Sequence, residues 1–406
     1  MWTIIKISWK NIWRNPVRSS VVIAAVMLGI WAGIFIVGFT NGMSLQRLHD
    51  QLDTYTGHIQ IHTPAFNNDR KVSEYIPNGN SVLSQIRKTP GVIAAIGHTI
   101  ATGLASSSTN SYGTSIVGVK PQQESTVLRL PHKLVEGTFF KGAKRFPVVI
   151  GKSLAKRLNV HLGSKIVLTF QDTANNITAS AFRIEGIFKT SSNTYDESHV
   201  FVRSGDLNNL LGTHDLIHEI VIKTGDAEKD LALSQKIQKT LPGLSVQSWQ
   251  EVAPELRLLD STIKLEIYIF MTILVLALAL GIVNTMLMAI LERTRELGML
   301  MAVGMNKKRV FLMIVSETFF LSFIGAPLGI FFSWLTIHIT GEYGINLSMV
   351  ARGLSQFGYG SIIYPVLDNI YYFHIALMMV AAALLSAIYP AIKALRLRPV
   401  QAIRKI

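Results

Sequence analysis

Cysteine is absent from this chain, and acidic residues are scarce wherever basic ones gather. The first absence rules out disulfides, thiolate nucleophiles and cysteine-ligated zinc or iron–sulfur sites. There is no G-x-x-x-x-G-K-[ST] loop either. The nearest fragment, Gly151-Lys152-Ser153, lacks the earlier glycine, so no ATP hydrolysis by this chain is expected. No G-x-S-x-G elbow or H-E-x-x-H pair offers a hydrolytic centre. His58 and His62 share one face of an expected strand with Gln60, but no carboxylate or third histidine lies nearby in sequence. They therefore read as ordinary strand polar residues rather than metal ligands. No basic patch interleaves with aromatics, which speaks against nucleic acid as a partner.

Charge is also absent from four long runs: Ser19–Gln46, Ile267–Leu291, Val310–Thr340 (interrupted by Glu317) and Asn369–Ile392. At about 1.5 Å of rise per residue, about 20 apolar residues cross a bilayer's hydrocarbon core, so each run can span it. A mean hydropathy of +0.35 agrees. The basic residues cluster at one set of ends. Lys6, Lys10, Arg14 and Arg18, then Arg293, Arg295, Lys307, Lys308 and Arg309, then Lys393, Arg396, Arg398, Arg404 and Lys405 make fourteen against two acidic residues, Glu292 and Glu296. They supply +12 of the chain's net charge of +14. The positive-inside rule puts both termini and the turn between the second and third runs in the cytoplasm. Residues 47–264, with 24 basic and 19 acidic side chains, are then exported. The first run is longer than a signal-peptide core and no A-x-A site follows it, so an uncleaved anchor is expected.

In residues 1–15, Trp2, Ile5, Trp9, Ile12 and Trp13 fall at helical spacing while Lys6, Lys10 and Arg14 step by four along another face. This pattern suits a helix lying in the membrane interface, with a simple aromatic belt as the alternative. After the first span the period shortens. Gly57–His62, Thr114–Val119, Phe146–Ile150, Ser164–Phe170, Ser180–Phe188, His199–Arg203 and His218–Lys223 read as strands. Lys152–Leu158 and Ala227–Thr240 read as helices, and Thr102–Gly113, rich in Ser, Thr and Gly, reads as a loop. The expected fold class is a membrane α-helical protein of four transmembrane helices with a large α+β domain, in two lobes, between the first and second.

Between the second and third spans, charged residues come first, then Leu297, Leu300 and Met301 at i, i+3 and i+4, then Gly304, a natural helix end. Composition leaves open a short amphipathic helix or a plain interfacial turn. Glu317, an ionisable group inside a span, is a functional candidate or a structural partner for Arg309 or for a hydroxyl across the helix interface. Gly325 and Gly329 form a GxxxG spacing that lets helices approach closely, with Pro327 between them. Asn284 and His374 read as packing or interface residues.

Four segments carry a resemblance: ERTRELGMLMAVGMNKKRV from Glu292, WKNIWRNPVRSS from Trp9, VVIGKSLAKRLNVHLGSKIVLT from Val148 and YPAIKALRLRPVQAIR from Tyr389. Together with the order of one span, a large domain and three spans, they resemble the FtsX-like, MacB-like family of ABC transporter permeases, and most of all its LolC/LolE lipoprotein-releasing members. The resemblance implies an interfacial helix at 1–16, spans at 17–43, 263–291, 309–339 and 370–393, a periplasmic core domain at 44–262, a coupling helix at 292–308, an exported loop at 340–369 and a cytoplasmic tail at 394–406. It implies an inner-membrane protein with both termini cytoplasmic. Its expected partners are an ABC ATPase dimer that binds the ATP and Mg, a second copy or sister permease, lipoprotein cargo and a periplasmic carrier. No cofactor is expected in this chain. Glu292, Arg295 and Glu296 are expected to make charged contacts with the ATPase, Leu297 and Met301 to fill its groove, and Gly304 to end the helix. The alternatives to lipoprotein release are a MacB-like efflux permease and an FtsX-like transducer of a cell-wall hydrolase.

Overall fold

A computed structural model describes residues 2–142 and 145–396. Of the expected tail at 394–406, the part beyond Arg396, with Arg398, Arg404 and Lys405, lies outside the described residues. The chain divides into two compact units. One takes in the chain up to Ser44, Ser261–Asn346 and the chain from Ile362; the other takes in Leu45–Asp260 and Leu347–Ser361.

The first unit is helical. The amphipathic helix Trp2–Arg14 ends at Asn15, where the following Pro16 disfavours the α region. Pro16 then opens the first-span helix, Pro16–Gln51, in the position where its missing N–H costs nothing. The second-span helix is Pro254–Glu292, the third Lys307–Tyr343 and the fourth Asn369–Leu395. Among the described residues, four helices are thus long and apolar enough to cross a membrane. The third runs through both Glu317 and Pro327 without a break.

Small residues let these helices meet. A Cβ on Gly325 would lie 3.1 Å from Val26 Cβ, and one on Gly329 2.8 Å from Ile30 Cβ and 2.9 Å from the Met27 carbonyl oxygen. The GxxxG face of the third span is therefore pressed against the first. On the first span itself, Gly33 faces Met379, Ile375 and Met271, and Gly38 faces Ile337. The buried core around them includes Val26, Ile30, Ile34, Leu278, Ile282, Met313 and Met379.

The second unit is α/β. Its ten strands are β1 (Ile59–His62), β2 (Val92–Ser106), β3 (Ser111–Val119), β4 (Leu134–Gly137), β5 (Pro147–Gly151), β6 (Lys165–Gln171), β7 (Ile177–Phe188), β8 (His199–Arg203), β9 (Glu219–Thr224) and β10 (Ser245–Ser248). They hydrogen-bond in the order β10-β1-β9-β2-β3-β8-β5-β7-β4, with β6 joining β2 and β7. The two largest buried clusters of the unit lie against this array. Ile59, Ile61, Ile86, Ile220 and Ile222 fill one; Ile116, Val148, Ile150, Leu154, Phe182 and Val202 fill the other.

Strand β2 belongs to both. Its first half, Val92–His98, pairs with β9, and its second half, Thr99–Ser106, pairs with β3. This corrects the loop expected at Thr102–Gly113, which is instead the end of a long hairpin turning at Ser107–Asn110. From Thr102 to Ser106 only Ala105 is buried, too faint an apolar alternation to read as a strand. The loop expected at 340–369 also has structure. Ile345–Asn346 pairs antiparallel with Ile362–Ile363, and Ala351–Gln356 is helical.

Candidate functional site

The second-span helix stops at Glu292, and Arg293, with φ −104° and ψ 17°, turns the chain into a separate short helix, Thr294–Ala302. Thr294 Oγ1 donates back to the carbonyls of Ile290 and Leu291 at 3.0 and 2.9 Å, which ties the new helix to the end of the old one. Gly304 ends it at φ +104°, a conformation that favours glycine, while the Gly304 and Met305 amides donate to Met301 and Leu300. Asn306 then caps the third span by accepting from the Lys308 amide. Glu292, expected within the short helix, is thus the last residue of the second span.

A polar latch holds the turn in place. Glu317, only 7% exposed, accepts hydrogen bonds on Oε1 from Asn11 Nδ2 at 2.7 Å and from Arg293 Nη1 at 2.9 Å. Arg293 Nε also donates to Glu296 Oε2 at 3.2 Å, and Arg14 pairs with the other Glu296 oxygen. Arg18 meets Glu292 at 3.3 Å, and Ser8 Oγ donates to the Met313 carbonyl at 3.1 Å. One connected network therefore joins the amphipathic helix, the turn and the third span. Arg293, not Arg309, is the partner of Glu317. Arg309 lies two turns away on the same helix, about 12 Å along its axis, whereas the turn folds Arg293 back onto the third span. Burial alone pushes the Glu296 carboxyl up, but hydrogen bonds from Arg14 and Arg293 outweigh it and hold the group below the usual carboxylate range.

The latch decides which face of the short helix points outward. Leu297 is 3% exposed and Met301 half-buried, both packed into this unit's own core with Leu300. The two apolar residues expected to fill a partner's groove therefore fill the protein's own. Arg295, Met299, Ala302 and Val303 face out at helical spacing, with Met299 50% and Val303 90% exposed. Lys307, Lys308 and Arg309 are exposed beside them. The outward face is thus an apolar pair framed by cations. Met299 and Val303 are visible in the sequence at i and i+4, but they are overshadowed by the stronger Leu297/Leu300/Met301 stripe.

Elsewhere, Asn284 and His374 are exposed on their spans. His58 Nδ1 meets Asp230 at 2.9 Å, and His62 Nε2 meets Gln60 Oε1 at 3.2 Å; no group of metal-ligating side chains forms among the described residues. His98 lies buried between Glu124 at 3.1 Å and Glu219 at 3.5 Å. Burial opposes the charged imidazolium there, yet the two carboxylates prevail and push it up to about 10.

Two family models match the chain. The MacB-like periplasmic core domain covers residues 19–240, and the FtsX-like permease C-terminal domain covers residues 268–399. Among similar proteins, the lipoprotein-releasing system transmembrane protein LolC of Neisseria meningitidis is 21% identical over 76% of this chain and 74% of its own. The macrolide export ATP-binding/permease protein MacB of Marinobacter nauticus is 22% identical over 85% of this chain and 54% of its own. The periplasmic region of MacB from Actinobacillus actinomycetemcomitans aligns with 53% of this chain and 96% of its own, at 14% identity and a TM-score of 0.35. The two matched domains, in this order and over most of the sequence, make this chain a member of the FtsX-like, MacB-like family of ABC transporter permeases.

Proposed function

We propose that the outward face of the Thr294–Ala302 helix seats in a cytoplasmic ABC ATPase and carries its motion to the exported α/β unit, and that the cargo is an acylated polypeptide released from the membrane. The carrying observation is the latch. Arg293, Glu296 and Glu317 bind the short helix to the ends of the second and third spans and to the amphipathic helix, so a push on it is a push on the spans.

Met299 and Val303 give an ATPase groove an apolar anchor, and Arg295 with Lys307–Arg309 gives an acidic rim its counter-charge. The helices of the first and second spans extend beyond the residues that cross the membrane, to Gln51 and back to Pro254, which suits levers joined to the exported unit. For cargo, the spans carry few polar groups and so lack the lining of a hydrophilic pore. Each CH₂ of an acyl chain buried against such apolar walls is worth about 0.8 kcal/mol. The similarity to LolC, which runs over three quarters of both chains, also favours lipoprotein release.

The test is depletion of the protein followed by fractionation of inner and outer membranes. Lipoproteins retained in the inner membrane support the reading. Normal lipoprotein sorting with lost export of a small molecule or peptide would support a MacB-like pump instead, and a cell-separation defect with neither change a hydrolase transducer.

A further inference from the structure

In the α/β unit, strands β3 and β8 lie side by side and parallel, with Val119 opposite Arg203 at their carboxyl ends. From there the chain parts. After β3 it runs through the helix Pro121–Val127 and on to β4 at one end of the sheet; after β8 it runs through the helix Ser204–Leu210 to β9, beyond β2. Val127 packs with Ile96 and Val221, and Leu207 with Ala101 and Ile116. Ile96 and Ala101 lie an odd number of places apart on β2, so the two helices cover opposite faces of the sheet. Parallel neighbours whose continuations diverge leave a crevice beyond their carboxyl ends, where open α/β sheets bind ligands. Here that crevice holds a cleft of about 450 Å³, with Lys120, Gln123, Phe140, Arg203 and Asp206 on its walls. Small-molecule sites are of this size.

The charges along this cleft are not all matched within the chain. Lys120 is committed to Asp215 at 3.4 Å. Arg203 donates from Nη2 to the carbonyls of Gly142 and Phe140 at 2.5 and 3.5 Å, which leaves Nε and Nη1 without a partner among the described residues. The Asp206 carboxylate accepts no hydrogen bond from them either, and its Oδ2 is buried. Burial pushes this carboxyl up, and the Arg203 charge only partly offsets the effect. A buried oxygen left bare is unfavourable, and a donor on a ligand would relieve it. Phe140 stands at φ +55°, a conformation that a bulky residue holds only under constraint, and the Arg203 bonds on either side supply that constraint.

We infer that this cleft binds a free α-amino acid, its carboxylate on the Arg203 guanidinium and its ammonium on the Asp206 carboxylate. One unmatched cation and one unmatched anion call for a ligand that carries one of each. An inorganic anion would leave Asp206 bare and set a second negative charge beside it, whereas a simple amine would meet the Arg203 charge with nothing to offset it. Phe140 offers an apolar wall to the ligand's side chain. Gln123 has its Oε1 taken by Arg87 at 2.9 Å, and its Nε2 remains to donate to the ligand carboxylate. The inference goes beyond the transport reading, and neither depends on the other.

The test titrates the purified full-length protein, in detergent, with each common L-amino acid by calorimetry, and with inorganic phosphate and glucose as probes of an anion site and a neutral sugar site. Expected is saturable binding of at least one amino acid, and about tenfold weaker binding, or less, of the same molecule lacking its amine or its carboxylate. Asp206→Asn breaks no hydrogen bond within the chain, so it should melt at the wild-type temperature without ligand and bind the amino acid about tenfold more weakly. Arg203→Lys, which keeps the charge but loses the planar fork, should weaken binding as well. No binding of any amino acid by the folded protein overturns the inference, as does binding of phosphate or glucose alone. So does an affinity unchanged by removal of the ligand's amine, or unchanged in Asp206→Asn. None of these outcomes bears on ATPase docking at Met299 and Val303.

Discussion

Where strands of the α/β unit meet, large side chains do the packing: Phe182, Phe188 and Phe201 are fully buried there. Where helices of the membrane unit meet, side chains are missing: Gly33, Gly38, Gly325 and Gly329 stand at the contacts. The contrast follows from solvent. Water drives large apolar groups together in the first unit, whereas lipid gives helices no such push, so they adhere through close backbone approach and a few polar bonds. Both units also bury a cation with carboxylates. His98 sits between Glu124 and Glu219 within the α/β unit, while Arg293 and Glu317 sit at the end of the spans beside the turn. One set ties strands together; the other ties the short helix to the ends of the spans.

The largest expected effect tests the strand network. His98→Ala leaves Glu124 and Glu219 without their shared cation and should cost about 3–5 kcal/mol, seen as a lower melting temperature of the purified protein in detergent. The pH dependence has a definite sign. With the folded pKa raised to about 10, the stabilisation from His98 is complete below its unfolded value near 6.5 and fades as pH rises from there towards 10. A stability profile flat across that window would contradict the buried imidazolium.

Next comes Gly329→Leu. Its Cβ already crowds Ile30 and the Met27 carbonyl, so overpacking of about 1–3 kcal/mol or more should separate the first and third spans. Gly113→Ala, where a Cβ meets nothing within 4 Å, should stay within about 0.5 kcal/mol. Equal losses from both would erase the contrast between the units. Smaller than the Gly329 effect is that of Glu296→Gln. Its side chain is 38% exposed, and the change should cost less than about 1 kcal/mol. Since the carboxyl is held low, its contribution is present above the normal carboxylate range and lost as pH falls through the folded value.

The same contrast explains what the sequence discloses. Strand β8 and the helix Lys152–Leu158 match their expected bounds because alternation and helical spacing are local signals. The four spans are legible because length and apolarity need no tertiary context. The hairpin at Thr102–Gly113 is not, since its further partner β6 comes from distant sequence. At the site, Gly304 and Glu317 announce themselves by residue type, but the pairing of Glu317 with Asn11 and Arg293 spans hundreds of residues in the first case and a turn in the second. The burial of Leu297 and exposure of Val303 depend on which apolar stripe the latch draws inward, and an amphipathic pattern does not say whether its oily side faces self or partner.

The most direct measurement places a single cysteine at Val303, 90% exposed in this cysteine-free chain, and applies a short thiol-reactive cross-linker in native membranes. The expected result is a covalent adduct with an ABC ATPase, identified by mass spectrometry, that disappears when Met299 is also changed to Asp. An adduct that survives Met299→Asp unchanged, or labelling of Val303→Cys by an impermeant reagent from the outer side of the membrane, would contradict the account.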